Sequence, residues 1–217
     1  GGDVLSGNAA GASGTVDRGG GGMTVDGAEG REVGKSAGSS GLLTVSGSGV
    51  LNVNGNELSV SENGVGVVEQ TGGEVNVAGN LTIADGEAGD TASYSISAGT
   101  LNVVGTAFVG DNDLTPGSLT VSSTGVVNAG VMQVGFEVNS DGTVTQSGEI
   151  NVDGGLTVGL NGAGVFTHTS GTVTVGTDTD DDLIVGQNAG SNGSYTIDAG
   201  LLDVKGELRV GIAGPSR

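Results

Sequence analysis

Residues 143–159 read TVTQSGEINVDGGLTVG, and this stretch decides the fold. It contains two triplets in which apolar and polar residues alternate, Ile150-Asn151-Val152 and Leu156-Thr157-Val158, with glycines before, between and after them. Alternation with a period of two is typical of a β-strand whose outer residues point to one side and whose middle residue points to the other. The stretch therefore predicts short strands that are separated by tight, glycine-containing turns.

The same pattern recurs eight times, at intervals of 23 to 29 residues. The recurring triplets are Met23-Thr24-Val25, Leu51-Asn52-Val53, Val75-Asn76-Val77, Leu101-Asn102-Val103, Val127-Asn128-Ala129, Ile150-Asn151-Val152, Val173-Thr174-Val175 and Leu202-Asp203-Val204. Further triplets precede and follow them, such as Tyr94-Ser95-Ile96 and Leu208-Arg209-Val210. A unit this short buries its apolar residues only when neighbouring units stack on it.

We therefore predict an all-β fold, a parallel β-helix (β-solenoid) of about eight coils with roughly 25 residues and three short strands in each. Parallel crossovers are normally right-handed, so the predicted hand is right. The predicted coils cover residues 15–41, 42–66, 67–92, 93–117, 118–142, 143–164, 165–193 and 194–217 of a single domain, 1–217.

The charge and the apolar content of the chain limit which kinds of partner it is expected to bind. The 217 residues include 25 acidic and 6 basic side chains, which give a formal net charge of −19. Because phosphate binding requires a basic footprint, this charge argues against nucleic acid as a partner. No apolar stretch reaches the length of a membrane span, so membrane insertion is not predicted either. The charge favours solubility and cationic partners.

Three segments carry a resemblance to a known family. They are residues 144–148 (VTQSG), 166–171 (FTHTSG) and 193–200 (GSYTIDAG), and similar coils extend over about residues 3 to 214. They resemble the passenger-associated β-strand repeats of bacterial autotransporters and related surface exoproteins. The resemblance implies a secreted solenoid in an extracellular or cell-surface location, and it brings no active site with it.

One acidic run suggests a metal site. Residues 177–182 read TDTDDD and interrupt an otherwise regular coil. Oxygen ligands from Asp178, Asp180, Asp181 and Asp182 would suit Ca²⁺, whereas the alternative is a solvated acidic loop, since the ligand spacing of a dedicated calcium loop is missing. Asp85 and Asp111 lie in weaker versions of such a cluster. No cofactor other than Ca²⁺ is suggested.

The residues do not favour an enzyme. There is no cysteine, and the only histidine, His168, occupies a repeat position that Gln70 and Gln146 hold elsewhere. No lysine or arginine occurs between residues 36 and 204, which disfavours an enzyme acting on polyuronates. The outward polar ladder Thr24–Asn52–Asn76–Asn102–Asn128–Asn151–Thr174–Asp203 is expected to hydrogen-bond along the rod through its stacked Asn and Thr side chains. Its functional alternative is a flat surface that binds polysaccharide or ice.

All the basic residues lie near the two ends of the chain. They are Arg18, Arg31 and Lys35 at one end and Lys205, Arg209 and Arg217 at the other. Since open solenoid ends expose unpaired strands, this distribution indicates either edge protection or a joint between molecules. Residues 4–11 align with residues 184–190, and residues 208–214 occupy the corresponding place at the other end.

We therefore predict head-to-tail stacking into a homopolymer, the alternative being that flanking coils of a longer solenoid are missing. The predicted assembly interface consists of Val4, Leu5, Arg18, Arg31, Lys35, Lys205, Leu208, Arg209 and Val210. The predicted function is a structural protein of the bacterial cell exterior, an extracellular rod or filament. An adhesin or stalk whose loops bind glycan or a host surface is the second reading, and a polysaccharide-active enzyme is the third.

Overall fold

The computed structural model describes residues 5–6, 9–26, 31–86, 90–112 and 115–212, and these residues form strands and turns without any helix. The strands are β1 (Leu5–Ser6), β2 (Ser13–Arg18), β3 (Gly22–Val25), β4 (Arg31–Val33), β5 (Ser40–Val45), β6 (Val50–Val53), β7 (Glu57–Val60), β8 (Val65–Val77), β9 (Asn80–Ile83), β10 (Thr91–Val109), β11 (Pro116–Val134), β12 (Asp141–Gln146), β13 (Glu149–Val152), β14 (Leu156–Val158), β15 (Ala163–His168), β16 (Thr172–Val175), β17 (Leu183–Val185), β18 (Asn192–Ile197), β19 (Leu201–Val204) and β20 (Leu208–Val210). None of the described residues belongs to a helix with the length and apolar character that a membrane crossing needs.

Each strand up to β17 pairs in parallel with a strand one coil further along the chain, and β18, β19 and β20 pair with the preceding coil. The pairings form three series, here called the first, second and third faces. The first face runs β2–β5–β8–β10–β11–β12–β15–β18. The second runs β3–β6–β8–β10–β11–β13–β16–β19. The third runs β1–β4–β7–β9–β10–β11–β14–β17–β20.

This arrangement confirms the predicted parallel β-solenoid of about eight coils. Strands β8, β10 and β11 continue around corners, so single strands there serve more than one face. The first strand of each coil begins two residues before the boundary predicted from the sequence, for example at Ser13 rather than at residue 15. Handedness remains a prediction.

The core is a column of apolar side chains inside the stack. Ile150 and Val152 of β13 are buried while Asn151 between them is partly exposed, as the alternation predicts. Val103 and Val173, also expected inside, are buried. The same expectation is wrong for Leu202, which is only partly buried, because among the described residues its coil has a covering neighbour on one side alone.

Glycine corners allow the coils to stack closely. Gly135 directly follows the end of β11 at Val134 and has a φ of 72°, a left-handed conformation that suits glycine. A Cβ atom at this position would collide with the backbone carbonyl of Ala163 in the next coil. The Val-Gly endings seen in the sequence therefore mark corners at which neighbouring backbones nearly touch.

Candidate functional site

The second face carries the predicted asparagine ladder. Each side-chain amide donates to the amide oxygen of the preceding coil, at 2.9 Å from Asn76 to Asn52, 2.8 Å from Asn102 to Asn76, 2.8 Å from Asn128 to Asn102 and 3.0 Å from Asn151 to Asn128. The structure thus confirms the hydrogen-bonded ladder. Because these amides bond one another along the rod, fewer of their groups are free for a ligand on this face.

The lone histidine lies inside the solenoid. His168 is 0% exposed, with Nε2 3.4 Å from the carbonyl oxygen of Gly171 and Nδ1 3.2 Å from the hydroxyl of Tyr195. Since a carbonyl only accepts, Nε2 is the donor in its contact with Gly171. Gln70 makes the equivalent inner contact with the Tyr94 hydroxyl at 2.7 Å. His168 is therefore a structural member of the inner column, as its repeat position indicated.

The acidic run 177–182 forms a loop in which aspartate carboxylates accept hydrogen bonds from backbone amides of the same loop. Asp181 Oδ2 accepts hydrogen bonds from the amides of Thr177 at 2.9 Å and Asp178 at 3.1 Å. Asp178 Oδ1 in turn accepts one from the amide of Asp180 at 2.9 Å. These carboxylates hold the turn in shape, a role that short polar side chains commonly take in loops.

Asp182 instead connects two coils. Its Oδ1 accepts the amide of Glu207 at 2.8 Å, and its Oδ2 lies 3.2 Å from Nε of Arg209. Within the described ranges, no three acidic or histidine side chains come close enough together to hold a metal ion. The four aspartates proposed as calcium ligands are not assembled into one ligand set, and this geometry favours the alternative of an acidic loop.

A more concentrated acidic site lies beside the third face. Asp85, Asp111 and Glu137 follow one another at intervals of 26 residues and occupy successive turns after β9, β10 and β11. Burial first, and then the negative charges of Asp85, Glu57 and Glu137, raise the pKa of the Asp111 carboxyl to about 7. Burial, followed by the charge of Glu57, also raises the pKa of Asp85 to about 6.

The sequence patterns predict this acidic column only in part. They indicate Asp85 and Asp111 as weak calcium candidates but do not mark Glu57 or Glu137. The common spacing of 26 residues from Asp85 to Asp111 and from Asp111 to Glu137 is a usable signal, because coils of equal length bring such residues into neighbouring positions. Oδ1 of Asp111 is buried without a hydrogen-bond partner among the described residues, so its charge is poorly compensated.

Two aromatic side chains lie next to these acids. Phe108 and Phe136 meet edge to face with their ring centroids 4.9 Å apart, outside the core. Phe136 also lines an open hollow of about 380 Å³ with Asp85, Asp111, Asn112, Glu137 and Val138. The hollow combines negative charge with an apolar wall, an arrangement that suits a ligand with both cationic and apolar parts.

The basic residues assigned to the assembly interface do not form a free positive surface. Arg31 is 1% exposed, and Lys35 pairs with Glu32 at 2.6 Å. Lys205 pairs with Asp203 at 2.7 Å, and Arg209 pairs with Glu207 at 2.9 Å as well as with Asp182. Arg18 donates to the carbonyl oxygen of Gly20 at 2.8 Å. Lys35, Lys205 and Arg209 are therefore paired with acids of their own chain, while the predicted assembly interface itself stays a prediction.

The apolar residues of the predicted assembly interface differ between the two ends of the described chain. Val4 lies outside the described residues, and the backbone of Leu5 pairs with Glu32 in β1. At the other end, Leu208 is 60% exposed and Val210 is 71% exposed. The equivalent residues one coil earlier, Leu183 and Val185, are buried.

An open apolar hollow of about 400 Å³ lies at this end. It is lined by Leu183, Val185, Gly193, Ser194, Tyr195, Ile197, Leu202, Leu208 and Val210. Among the described residues nothing covers this end of the core, and another coil would close the hollow. No family model, curated protein or solved structure matches this chain, so the resemblance to autotransporter repeats stays a prediction.

Proposed function

We propose that this chain is a structural protein of the bacterial cell exterior, a rod segment that extends by stacking coil on coil with a second copy of itself. The observation that carries the proposal is an apolar end of the core that no described residue covers, where Leu208 and Val210 are exposed at positions that other coils bury. The extracellular location rests on the family resemblance.

The interior of the segment suits a load-bearing rod. A single cluster of buried apolar residues extends from Val25 to Val185, and the asparagine ladder runs alongside it. In a solenoid each coil is stabilised by its neighbours, so a continuous stack resists local opening better than an isolated coil does. Eight coils at a spacing of about 4.8 Å give a segment of about 38 Å.

A second copy fits the open end because both ends are sections through the same coil. The outer edges of β18 and β19 would pair with β2 and β3 of the next copy, continuing the first and second faces in parallel. On the third face, β20 of one copy would pair with β4 of the next copy. Within a single chain, β1 already pairs with that edge of β4. Stacking in register therefore requires β1, a pairing of two residues, to give way to β20. A contact of this head-to-tail type propagates as a fibre when the rotation does not close.

Sedimentation velocity with two valine variants tests the proposal. Val210→Asp places a charge on the exposed end, where it would be buried by stacking, while Val104→Asp places the same charge on a side of the rod that is 74% exposed. We expect the wild type and Val104→Asp to form concentration-dependent polymers and Val210→Asp to remain monomeric. Deleting residues 1–8 should accelerate assembly because β1 no longer competes.

The outcome that contradicts the proposal is a wild-type chain, and a chain without residues 1–8, that both remain monomeric at high protein concentration. Equal polymerisation of both valine variants would also contradict it, because the end of the core would then have no part in the contact. Circular dichroism of each variant checks that the coil itself is intact.

The second function, an adhesin that binds glycan or a host surface, is supported by the Phe108–Phe136 pair. Aromatic rings at a surface supply apolar contact area for binding, and here both rings are partly exposed while Val138 beside them is 60% exposed. Binding of the monomeric Val210→Asp chain to a glycan array, lost in Phe136→Ala, would support this function. If the chain binds no glycan on the array, those glycans are excluded as ligands of this surface.

A further inference from the structure

The first face presents a regular, uncharged surface on its last five coils. Two columns of outward side chains run along strands β10, β11, β12, β15 and β18. One column is Ser93, Ser118, Thr143, Val165 and Ser194, and the other is Ser95, Thr120, Thr145, Thr167 and Thr196. None of the ten is charged in a chain of net charge −19, and the nearest acid along β12, Asp141, lies at the margin.

The scaffold beneath this surface is regular and tightly packed. The strands pair without a register shift over these positions, so the columns are straight. The inward residues between the columns include Tyr94, Leu119, Val144 and Phe166, all of which are buried. Phe166 also stacks on Tyr195 with the ring centroids 4.7 Å apart. The outward side chains are therefore held on a rigid sheet.

The hydroxyl groups of this surface are available to water. Ser95 and Ser118 make long contacts of 3.4 Å to backbone carbonyls. The hydroxyls of Thr120, Thr145 and Thr167, by contrast, make no hydrogen bond with the described part of the chain. On the second face the opposite holds, since the asparagine amides bond one another. The first face thus offers hydroxyl and methyl groups at fixed positions.

The spacing between coils and the spacing along each strand are both close to distances between oxygen atoms in hexagonal ice. Coils are about 4.8 Å apart, and residues two apart on a strand are about 6.7 Å apart. Hydrogen-bonded oxygens lie about 2.75 Å apart, so in a tetrahedral hexagonal lattice the next-nearest oxygens are about 4.5 Å apart and the axial repeat is about 7.3 Å. Both spacings of the face agree with the lattice to about a tenth.

We propose that this face, centred on Thr145 and Thr167, binds the surface of ice. Water ordered by the hydroxyl groups and by the methyl groups between them occupies positions that an ice surface can share. An uncharged lattice requires no charged partner, which fits the absence of acids from the two columns. A crystalline polysaccharide is the weaker fit, because sugar rings normally bind to aromatic faces and the two columns contain none.

The test compares two threonines of the same coil. Thr167→Tyr places a bulky side chain in the centre of the first face, and Thr174→Tyr makes the same change on the second face. Tyrosine is favourable in strands, so both variants are expected to fold, and circular dichroism checks this. The readout is the shape and growth of single ice crystals in solutions of the whole chain.

We expect the wild type and Thr174→Tyr to facet ice crystals and slow their growth, and Thr167→Tyr to need at least a tenfold higher concentration for the same effect. Unshaped crystals in wild-type solution would overturn the proposal, as would equal activity of the two variants. Binding to crystalline chitin or cellulose, or dimerisation, that is lost in Thr167→Tyr without any effect on ice would also overturn it and assign the face to that partner.

Discussion

Replacing Asp111 by asparagine should stabilise the protein above neutral pH. In the folded chain, burial together with the negative charges of Asp85, Glu57 and Glu137 raises the pKa of Asp111 to about 7 from an ordinary value of 3.8. The folded state therefore holds a proton that the unfolded state releases, and the contribution to stability is present at about pH 4 and is lost as the pH rises to about 7. Above that range the Asp111 carboxylate of the wild type is ionised while partly buried, which lowers the free energy of unfolding.

The size of the effect follows from the change in pKa. At 1.36 kcal/mol for each pH unit, a rise from 3.8 to about 7 corresponds to about 4 kcal/mol. Because the carboxyl is partly in contact with water, screening reduces this to about 2 kcal/mol. Asp111→Asn is then more stable than the wild type by about 2 kcal/mol at pH 8 and equally stable at pH 4, which is about 4–8 °C in melting temperature at pH 8.

Thermal unfolding between pH 4 and pH 8 measures this difference. Asp153→Asn is the matched control, because Asp153 is exposed and its removal changes the net charge by the same amount. A control variant that gains as much stability as Asp111→Asn would attribute the effect to net charge alone. An Asp111→Asn protein that is less stable than the wild type at pH 8 would refute the reasoning.

Three further outcomes are expected. Ile150→Ala should lower the free energy of unfolding by about 2–4 kcal/mol in urea titrations, since Ile150 is fully buried, and a loss below 1 kcal/mol would contradict the packing described. Asn102→Ala should cost about 1–2 kcal/mol because its amide bonds two neighbours, whereas Thr174→Ala should cost less than half of that. Adding calcium or a chelator should leave the melting temperature unchanged, and a rise in melting temperature with calcium would support the metal hypothesis instead. Asp182→Ala should lower the melting temperature, because Asp182 connects its coil to Glu207 and Arg209 of the last coil.

Local patterns were sufficient to predict the coil. Alternation in Ile150-Asn151-Val152 fixes which side chains point inward, and repetition of the triplet fixes the pairing of Asn151 with Asn128 in the coil before it. Both depend on residues that are close in sequence or separated by one repeat. The ladder of amide hydrogen bonds follows directly from that register.

Burial at the ends could not be predicted in the same way. Leu202 has the same local pattern as Ile150, yet it is only partly covered, because burial in a solenoid depends on the neighbouring coil. Arg31 was placed at an exposed joint from its charge alone, but it stands at an inward position of β4 and is buried. The raised pKa of Asp111 depends on side chains from three different coils, which no local pattern reveals.

Electron microscopy of the purified chain over a range of protein concentrations tests the structural role most directly. Head-to-tail stacking predicts unbranched threads of uniform width whose length grows with concentration in steps of about 38 Å, the length of eight coils. Separate rods of that single length at every concentration, in the chain without residues 1–8 as well as in the whole chain, would contradict it.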